Sequence, residues 1–279
     1  MIIQKKAYAK INLYLKISNK REDNYHNIFT VMQRISLADE IKIKITPGEK
    51  KISINCRDKS IANQKNTAYK AARLFLAQTK ISAGLNIEIH KKIPARAGLG
   101  GGSSDAACAL LALNECYGFI LPEGELLDIA ACVGADVPFF LKNTSCALCE
   151  GAGELVTPLK ADLSGYFCLI AKPSYDISTK QAYENWDKSE GGGPPPPAWE
   201  ISKIFESIHN DFAGLAFSQN ANIQKIHGFI ANSGAAAAGL CGSGSALFGI
   251  FGDFAAARSC ERALKQMPDV EFCGVFDFL

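Results

Sequence analysis

The sequence has no apolar run near the roughly 18 residues that a membrane helix needs. Its start, MIIQKKAYAKINLYLK, alternates apolar and polar residues where a secretory signal would be continuously apolar. Both absences set an expectation of a cytoplasmic chain with no membrane contact. Charge of one sign is also lacking: 30 basic residues against 28 acidic leave a net +2, with only short basic pairs. Neither a nucleic-acid groove nor a polybasic surface is expected, and the partner is read as a small molecule. There is no internal repeat with a period of about 20 to 50 residues. Cys146 and Cys149 form a C-x-x-C, but no second pair and no close His pair follows, so a zinc or redox site is not read there. The ten cysteines fall mostly in apolar segments without framework spacing, which suits reduced thiols buried as small hydrophobes.

What is present is ordinary globular composition, 48% hydrophobic and 21% charged over 279 residues, enough for two domains with separate cores. From Ala7 to Ile17 apolar residues occupy the odd positions, and Lys6, Tyr8, Lys10, Asn12, Tyr14 and Lys16 the even ones. That is strand periodicity, with an even face that is not core. DEIKIKI, KKISINC and LNIEIH repeat it and predict one mainly antiparallel sheet. Helices are predicted for TAYKAARLFLAQ, capped by Asn66 or Thr67, for DAACALLALNECY, opened by Ser103 or Ser104, and for PEGELLDIAACV between Pro122 and Gly134. After Gly151 come a strand-like GYFCLIA, a low-complexity EGGGPPPP at 190–197 read as a surface loop, and short helices near 199–209 and 221–232. The strand ALFGIF, a helix DFAAARSCERALKQ and a last strand VEFCGVF follow. The order suggests a small ferredoxin-like α+β layer.

The strongest local signal is PARAGLGGGSSDAA, from Pro94 to Ala107, where four glycines in five residues precede two serines and a helix. Glycines let a backbone approach an anion and turn its N–H groups inward, and a helix N-terminus adds partial positive charge. No Lys precedes the Ser pair, so this is not a Walker loop, and Ser103 stands where a dinucleotide fingerprint starting at Gly98 needs glycine.

This stretch resembles the second motif of the GHMP kinases, AGLCGSGSALFGIF at 238–251 resembles their third, and KAYAKINLYLKI their first. Within that superfamily, AKINLYLKI followed by REDNYHNI, GLGGGSSDAA and GADVPFFL resemble the diphosphocytidyl-methylerythritol kinases. Asn24 stands where that family has Gly, and both residues tolerate positive φ. The resemblance implies an α+β fold of two domains, placed at 1–158 and 159–279, with ATP and substrate bound between them. It implies magnesium-dependent transfer of the ATP γ-phosphate to the 2-hydroxyl of 4-diphosphocytidyl-2-C-methyl-D-erythritol in non-mevalonate isoprenoid synthesis. The partner is then a substrate carrying a cytidine diphosphate group, and the chain a monomer or homodimer.

Residue by residue, the resemblance singles out Lys10 and Asp136 as catalytic, although a lone charge is usually a solvated one. Asp136 would accept the proton of the hydroxyl, and Lys10 would steady the charge on the phosphoryl group. Asp136, just after Gly134 and before Val137-Pro138, where the proline favours an extended backbone, is read on a chain bend and not inside a helix. Tyr25, His26 and Tyr183 would hold the cytosine, with Asn12, Thr179, Ser243 and Gly244 also on the substrate. The ATP side takes in Asn66, Pro94, Ala95, Arg96, Ala97, Gly98, Leu99, Gly100, Gly101, Gly102, Ser103 and Ser104. Asp105 stays open between complementing the helix dipole and touching magnesium through water, and direct metal ligands are not assigned. His90 is placed on a polar strand face, His209 and His227 in helices, all three without a role. A GHMP kinase for homoserine or mevalonate, a silent nucleotide-binding module and a dinucleotide oxidoreductase are the alternatives. Convergence of Tyr25, His26 and Tyr183 on one cavity discriminates the first.

Overall fold

Two long antiparallel strands, β1 (Ile2–Lys20) and β2 (His26–Pro47), carry out the alternation of the first 47 residues, with Lys10 opposite Arg34 and Ile17 opposite Ile28. The computed structural model describes residues 1–189 and 204–279. The 190–197 segment and residues 199–203 of the helix expected near 199–209 lie outside the described residues; the remainder is not helical, since 204–206 form a turn and a strand begins at His209.

Beside β2 lies β4 (Ala83–His90), antiparallel, and beside that β3 (Ile52–Cys56), parallel to β4. β5 (Cys146–Glu150) pairs with the early part of β2 and with β6 (Leu155–Leu159). β8 (His209–Asn210) closes the β1 edge in parallel at Tyr14 and Leu15. The sheet order is β3-β4-β2-β1-β8, with β5 and β6 branching from β2. Helices α1 (Thr67–Thr79), α2 (Gly101–Cys116), α3 (Glu123–Val133) and α4 (Val137–Leu141) join its residues in one core, with Phe75, Leu110, Leu113 and Phe139 against Ile41, Ile43 and Ile87.

The second sheet is antiparallel, in the order β11 (Val270–Asp277), β7 (Phe167–Pro173), β10 (Leu247–Phe251), β9 (Ala237–Leu240). α5 (Thr179–Trp186), α6 (Ala213–Gln219), α7 (Ala221–Ala231) and α8 (Phe254–Leu264) complete this half. Leu169, Ala171 and Phe251 share a core with Ile226, Ile230 and Leu264. Cys168, Ile170 and Ile250 turn the other way, to Ile11, Leu13, Val31 and Ile35 of the first sheet. Burial on both faces explains why β7 and β10 read as continuous apolar runs.

Several local expectations change. α2 starts at Gly101, because Gly100 turns the chain with φ 70 and serves as N-cap, so Asp105 sits beyond the first turn and does not complement the dipole. Asp136 does sit on a bend, between α3 and α4, but the backbone there is not extended: it has φ −81, ψ −10 and is the N-cap of α4, whose first turn accepts Pro138 because a missing N–H costs nothing there. His209 lies in β8 and not in a helix. The other helical boundaries at Pro122, Gly134 and Asn66 coincide with caps, the Asn66 side chain accepting from the Ala68 N–H at 2.9 Å. Asn24 adopts φ 66, as a Gly replacement there should. Among the described residues no helix is long and apolar enough to cross a membrane, and every cysteine is free.

Candidate active site

The glycine loop is threaded between two other segments, which is why it must be glycine. A side chain on Gly98, at φ 74, would put its Cβ 1.8 Å from the Cys241 carbonyl oxygen, so the loop and the turn at 241–246 touch backbone to backbone. The Ala246 N–H donates to the Ala97 carbonyl at 3.2 Å, and the Lys10 N–H to the Leu99 carbonyl at 3.0 Å. A Cβ on Gly100 would lie 2.9 Å from the Phe140 ring and 3.0 Å from Lys10 Cγ. No side chain caps α2. Its first N–H groups are therefore free for an anion, and Gly100, Gly101, Gly102 and Ser103 all line one cavity of about 1080 Å³.

Lys10 and Asp136 meet at that loop. Lys10 is only 3% exposed, and its ammonium donates to Asn12 Oδ1 at 2.7 Å and lies 3.4 Å from Asp136 Oδ2. Asn12 donates in turn to Thr30 Oγ1 at 2.8 Å, and Thr30 to the Tyr14 carbonyl at 2.7 Å, so the lysine is held by a chain of satisfied polar groups. Asp136 is fixed through α4. Arg34 donates to the carbonyls of Phe139 and Lys142, both at 2.8 Å, and its guanidinium stands over the Phe139 ring; burial lowers its pKa to about 10. Asp136 itself remains partly open to the cavity.

The other end of the same cavity is aromatic. His26 stacks on Tyr183 with ring centroids 5.0 Å apart and planes 17° from parallel, and Phe212 meets Tyr183 edge-on. His26 Nε2 lies 2.6 Å from Asp187 Oδ1, and Lys20 donates to Asp187 Oδ2 at 2.5 Å. The Lys20 hydrogen bond, with His26 beside it, holds the Asp187 carboxyl below its usual range. Burial, helped by the Asp136 charge, pushes the Tyr183 phenol well up. Tyr25 stands at the rim, 60% exposed. Thr179, the first residue of α5, is 3.0 Å from Ser243, hydroxyl to hydroxyl.

Of the residues singled out from the sequence, Lys10, Asn12, Tyr25, His26, Asn66, Thr179, Tyr183, Ser243, Asp136 and the stretch from Pro94 to Ser103 line this cavity. Ser104 and Gly244 do not: Ser104 is buried in α2, and a Cβ on Gly244 would meet Ile177 and Leu240. The Asn66 side chain is already spent on the α1 cap and on the Ile61 carbonyl. Asp187, Lys20, Lys91 and Asp105 also line the cavity, and sequence reasoning gave the first three no place. Asp187 carried a usable signal, four residues after Tyr183 on a helical spacing. Lys91 and Lys20, at strand ends, carried none.

Two family models match, "GHMP kinases N terminal domain" over residues 66–143 and "GHMP kinases C terminal" over 200–269. A Clostridium novyi protein named 4-diphosphocytidyl-2-C-methyl-D-erythritol kinase is 36% identical over 270 residues, covering 94% of this chain and 95% of that protein. One of the same name from Caldicellulosiruptor bescii is 39% identical over 266 residues, covering 92% of each. A crystal structure of 4-(cytidine 5'-diphospho)-2C-methyl-D-erythritol kinase superposes with TM-score 0.81 at 31% identity, over 99% of both chains. Homoserine kinase from Cytophaga hutchinsonii, with TM-score 0.75 at 18% identity over 99% of this chain and 95% of its own, shares the fold alone.

Proposed function

The chain belongs to the GHMP kinases and, within them, to the 4-diphosphocytidyl-2-C-methyl-D-erythritol kinases, and from that membership we infer that it transfers the γ-phosphate of ATP to the 2-hydroxyl of that diphosphocytidyl alcohol. The products are the 2-phosphate and ADP, a step of non-mevalonate isoprenoid synthesis. The observation that carries this reading is one cavity with a phosphate cradle beside Lys10 and Asp136 at one end and an aromatic pocket at the other.

In the reaction so read, the glycine loop and the α2 N-terminus hold the ATP phosphates through backbone N–H groups. The hydroxyl oxygen attacks the γ-phosphorus, the bond to the β,γ-bridging oxygen breaks, and the hydroxyl proton passes to Asp136. Lys10, kept in place by Asn12 and Thr30, offsets negative charge beside the carboxylate and the transferring group. His26 and Tyr183 bind the cytosine in the aromatic part of the same cavity. Magnesium belongs here to the nucleotide substrate complex. Among the described residues no group of three His, Cys, Asp or Glu is placed to hold a metal ion, and the Asp105 carboxyl group accepts a hydrogen bond from Lys91 inside the fold.

Incubation of the purified chain with magnesium-ATP and, separately, the diphosphocytidyl alcohol, homoserine and mevalonate tests the reading. Phosphorylation of the first alone is expected. Preferred turnover of either other alcohol would overturn the substrate, and turnover of none would overturn the activity.

A further inference from the structure

Directly under the cradle lies a buried charge cluster with no part in the chemistry above. Asp39, on β2 and 0% exposed, accepts the Lys92 N–H at 2.6 Å and the Ile93 N–H at 2.8 Å on Oδ1, and the Lys91 ammonium on Oδ2. Lys91 also donates to Asp105 Oδ2 at 2.8 Å. Asp105, on α2 and 2% exposed, has a second oxygen, Oδ1, that is buried without any hydrogen-bond partner. The cluster abuts the loop itself: a Cβ on Gly101 would lie 3.3 Å from Lys91 Nζ. Two carboxylates thus share one ammonium, three donors go to Asp39, and Asp105 has only one. One cation neutralises one carboxylate, and an unbalanced buried charge is far costlier than a neutral acid.

We propose that Asp105 carries a proton, so that the Asp39–Lys91–Asp105 cluster is neutral, and that this neutrality lets the glycine loop accept a polyphosphate. Ionised Asp105 would set an uncompensated negative charge at the base of the cradle, where low dielectric makes it strongly repulsive to the nucleotide. The proposal rests on the reading of the loop as a nucleotide-phosphate site. Burial is the main cause raising the Asp105 pKa, to about 7, with the Asp39 charge adding to it and Lys91 pulling the other way. Burial would lower the Lys91 pKa, but Asp105 and Asp39 together overcome it and the net shift is upward. The other ionisable groups around α2 are engaged elsewhere. Burial holds the Cys108 thiol protonated, raised to about 12; Lys5 of β1 pairs with Glu115; Lys70 of α1 donates to the Cys132 carbonyl; and Asp136 pairs with Lys10.

The test is calorimetric titration of magnesium-ATP, without acceptor alcohol, into the parent and Asp105→Asn between pH 6 and pH 8.5. An amide mimics the neutral acid and cannot ionise. The parent's Kd should rise roughly tenfold more than the variant's over that range, leaving the variant the tighter binder at high pH. ATP's own titration is common to both and cancels. Superimposable profiles would overturn the proposal. So would a parent Kd that falls with pH only when Asp105 is present, which would make the carboxylate an anionic aid to magnesium. In parallel, carbon-13 NMR of aspartate-labelled parent should show one carboxyl titrating near neutral pH; its absence overturns the proposal whether or not the variant folds. A parent that binds no ATP at any pH sinks the nucleotide reading, which the NMR signal would survive.

Discussion

At the phosphate end of the cavity the surface offered to the ligand is mostly backbone, carried by consecutive residues wedged against Lys10, Phe140 and the Cys241 carbonyl. At the base end it is the tips of side chains from opposite parts of the chain: Lys20 and His26 flanking the β1–β2 turn, Tyr183 and Asp187 from α5, Phe212 ahead of α6. Backbone cannot be changed by ordinary substitution, so the first end is altered only through its glycines or its two charged side chains. The second is built from pairwise contacts that can be removed singly. The phosphate end should therefore fail steeply and the base end by degrees.

Asp136→Asn is the strongest break. It keeps the shape of the α4 N-cap and removes the proton acceptor, so turnover should fall roughly 100-fold to 10,000-fold with little change in substrate affinity. Single-turnover phosphorylation alongside equilibrium binding measures this. A rate within about tenfold of the parent would leave Asp136 less than about 1.4 kcal/mol of the barrier, too little for a base, and would shift the weight to Lys10. Next comes Gly100→Val, which must adopt φ 70 with a branched side chain against Phe140 and Lys10. ATP affinity should drop at least roughly tenfold, since the loop has to move to admit it. A cooperatively folding Gly100→Val protein with unchanged ATP affinity would refute the cradle.

The same contrast decides what could be read in the sequence. The glycine loop was legible because its whole function lies in adjacent residues, and the strands from Ala7 onward were legible because one face is core and the other is not. β5 was missed because Cys146, Ala147 and Cys149 are buried toward different cores and leave no alternation. His209 was misplaced because two residues pairing with Tyr14 and Leu15 make a strand that only β1 defines. Asp105 was ambiguous for a like reason: Asp39 and Lys91, far off in sequence, set its electrostatics. At the base end the rings were readable as candidates, and Asp187 carried only its spacing from Tyr183; its bridging of His26 to Lys20 was not readable, since neither histidine nor lysine signals a partner some 160 residues away.

Removing the His26–Tyr183 stack sharpens the comparison at an intermediate level. His26→Ala with Tyr183→Ala should raise the KM for the diphosphocytidyl alcohol roughly tenfold or more, as loss of an aromatic pair and its edge hydrogen bonds implies. ATP affinity should stay within about twofold, because neither of these two rings is among the groups packed against the loop glycines. An equal loss of ATP binding would place the nucleotide, and not the cytosine, against these rings.

The smallest effect expected is at Asp187, and it separates two contributions of one carboxylate. Its bond to Lys20 is partly exposed, a kind of pair that contributes little after solvent screening. Its bond to His26 Nε2 involves a ring that is otherwise buried, where an unpaired nitrogen is costly. Asp187→Asn retains an oxygen that can accept from Nε2–H and loses only the charge, so the KM for the diphosphocytidyl alcohol should rise about threefold or less. Asp187→Ala frees the ring and should raise it about tenfold, with kcat and ATP affinity unchanged in both. If the two substitutions act alike, the carboxylate works through its charge on Lys20 and the His26 contact is incidental. Should neither move KM while His26→Ala does, His26 keeps its orientation through Tyr183 alone, and the base end depends on one stacked pair where the phosphate end depends on a loop.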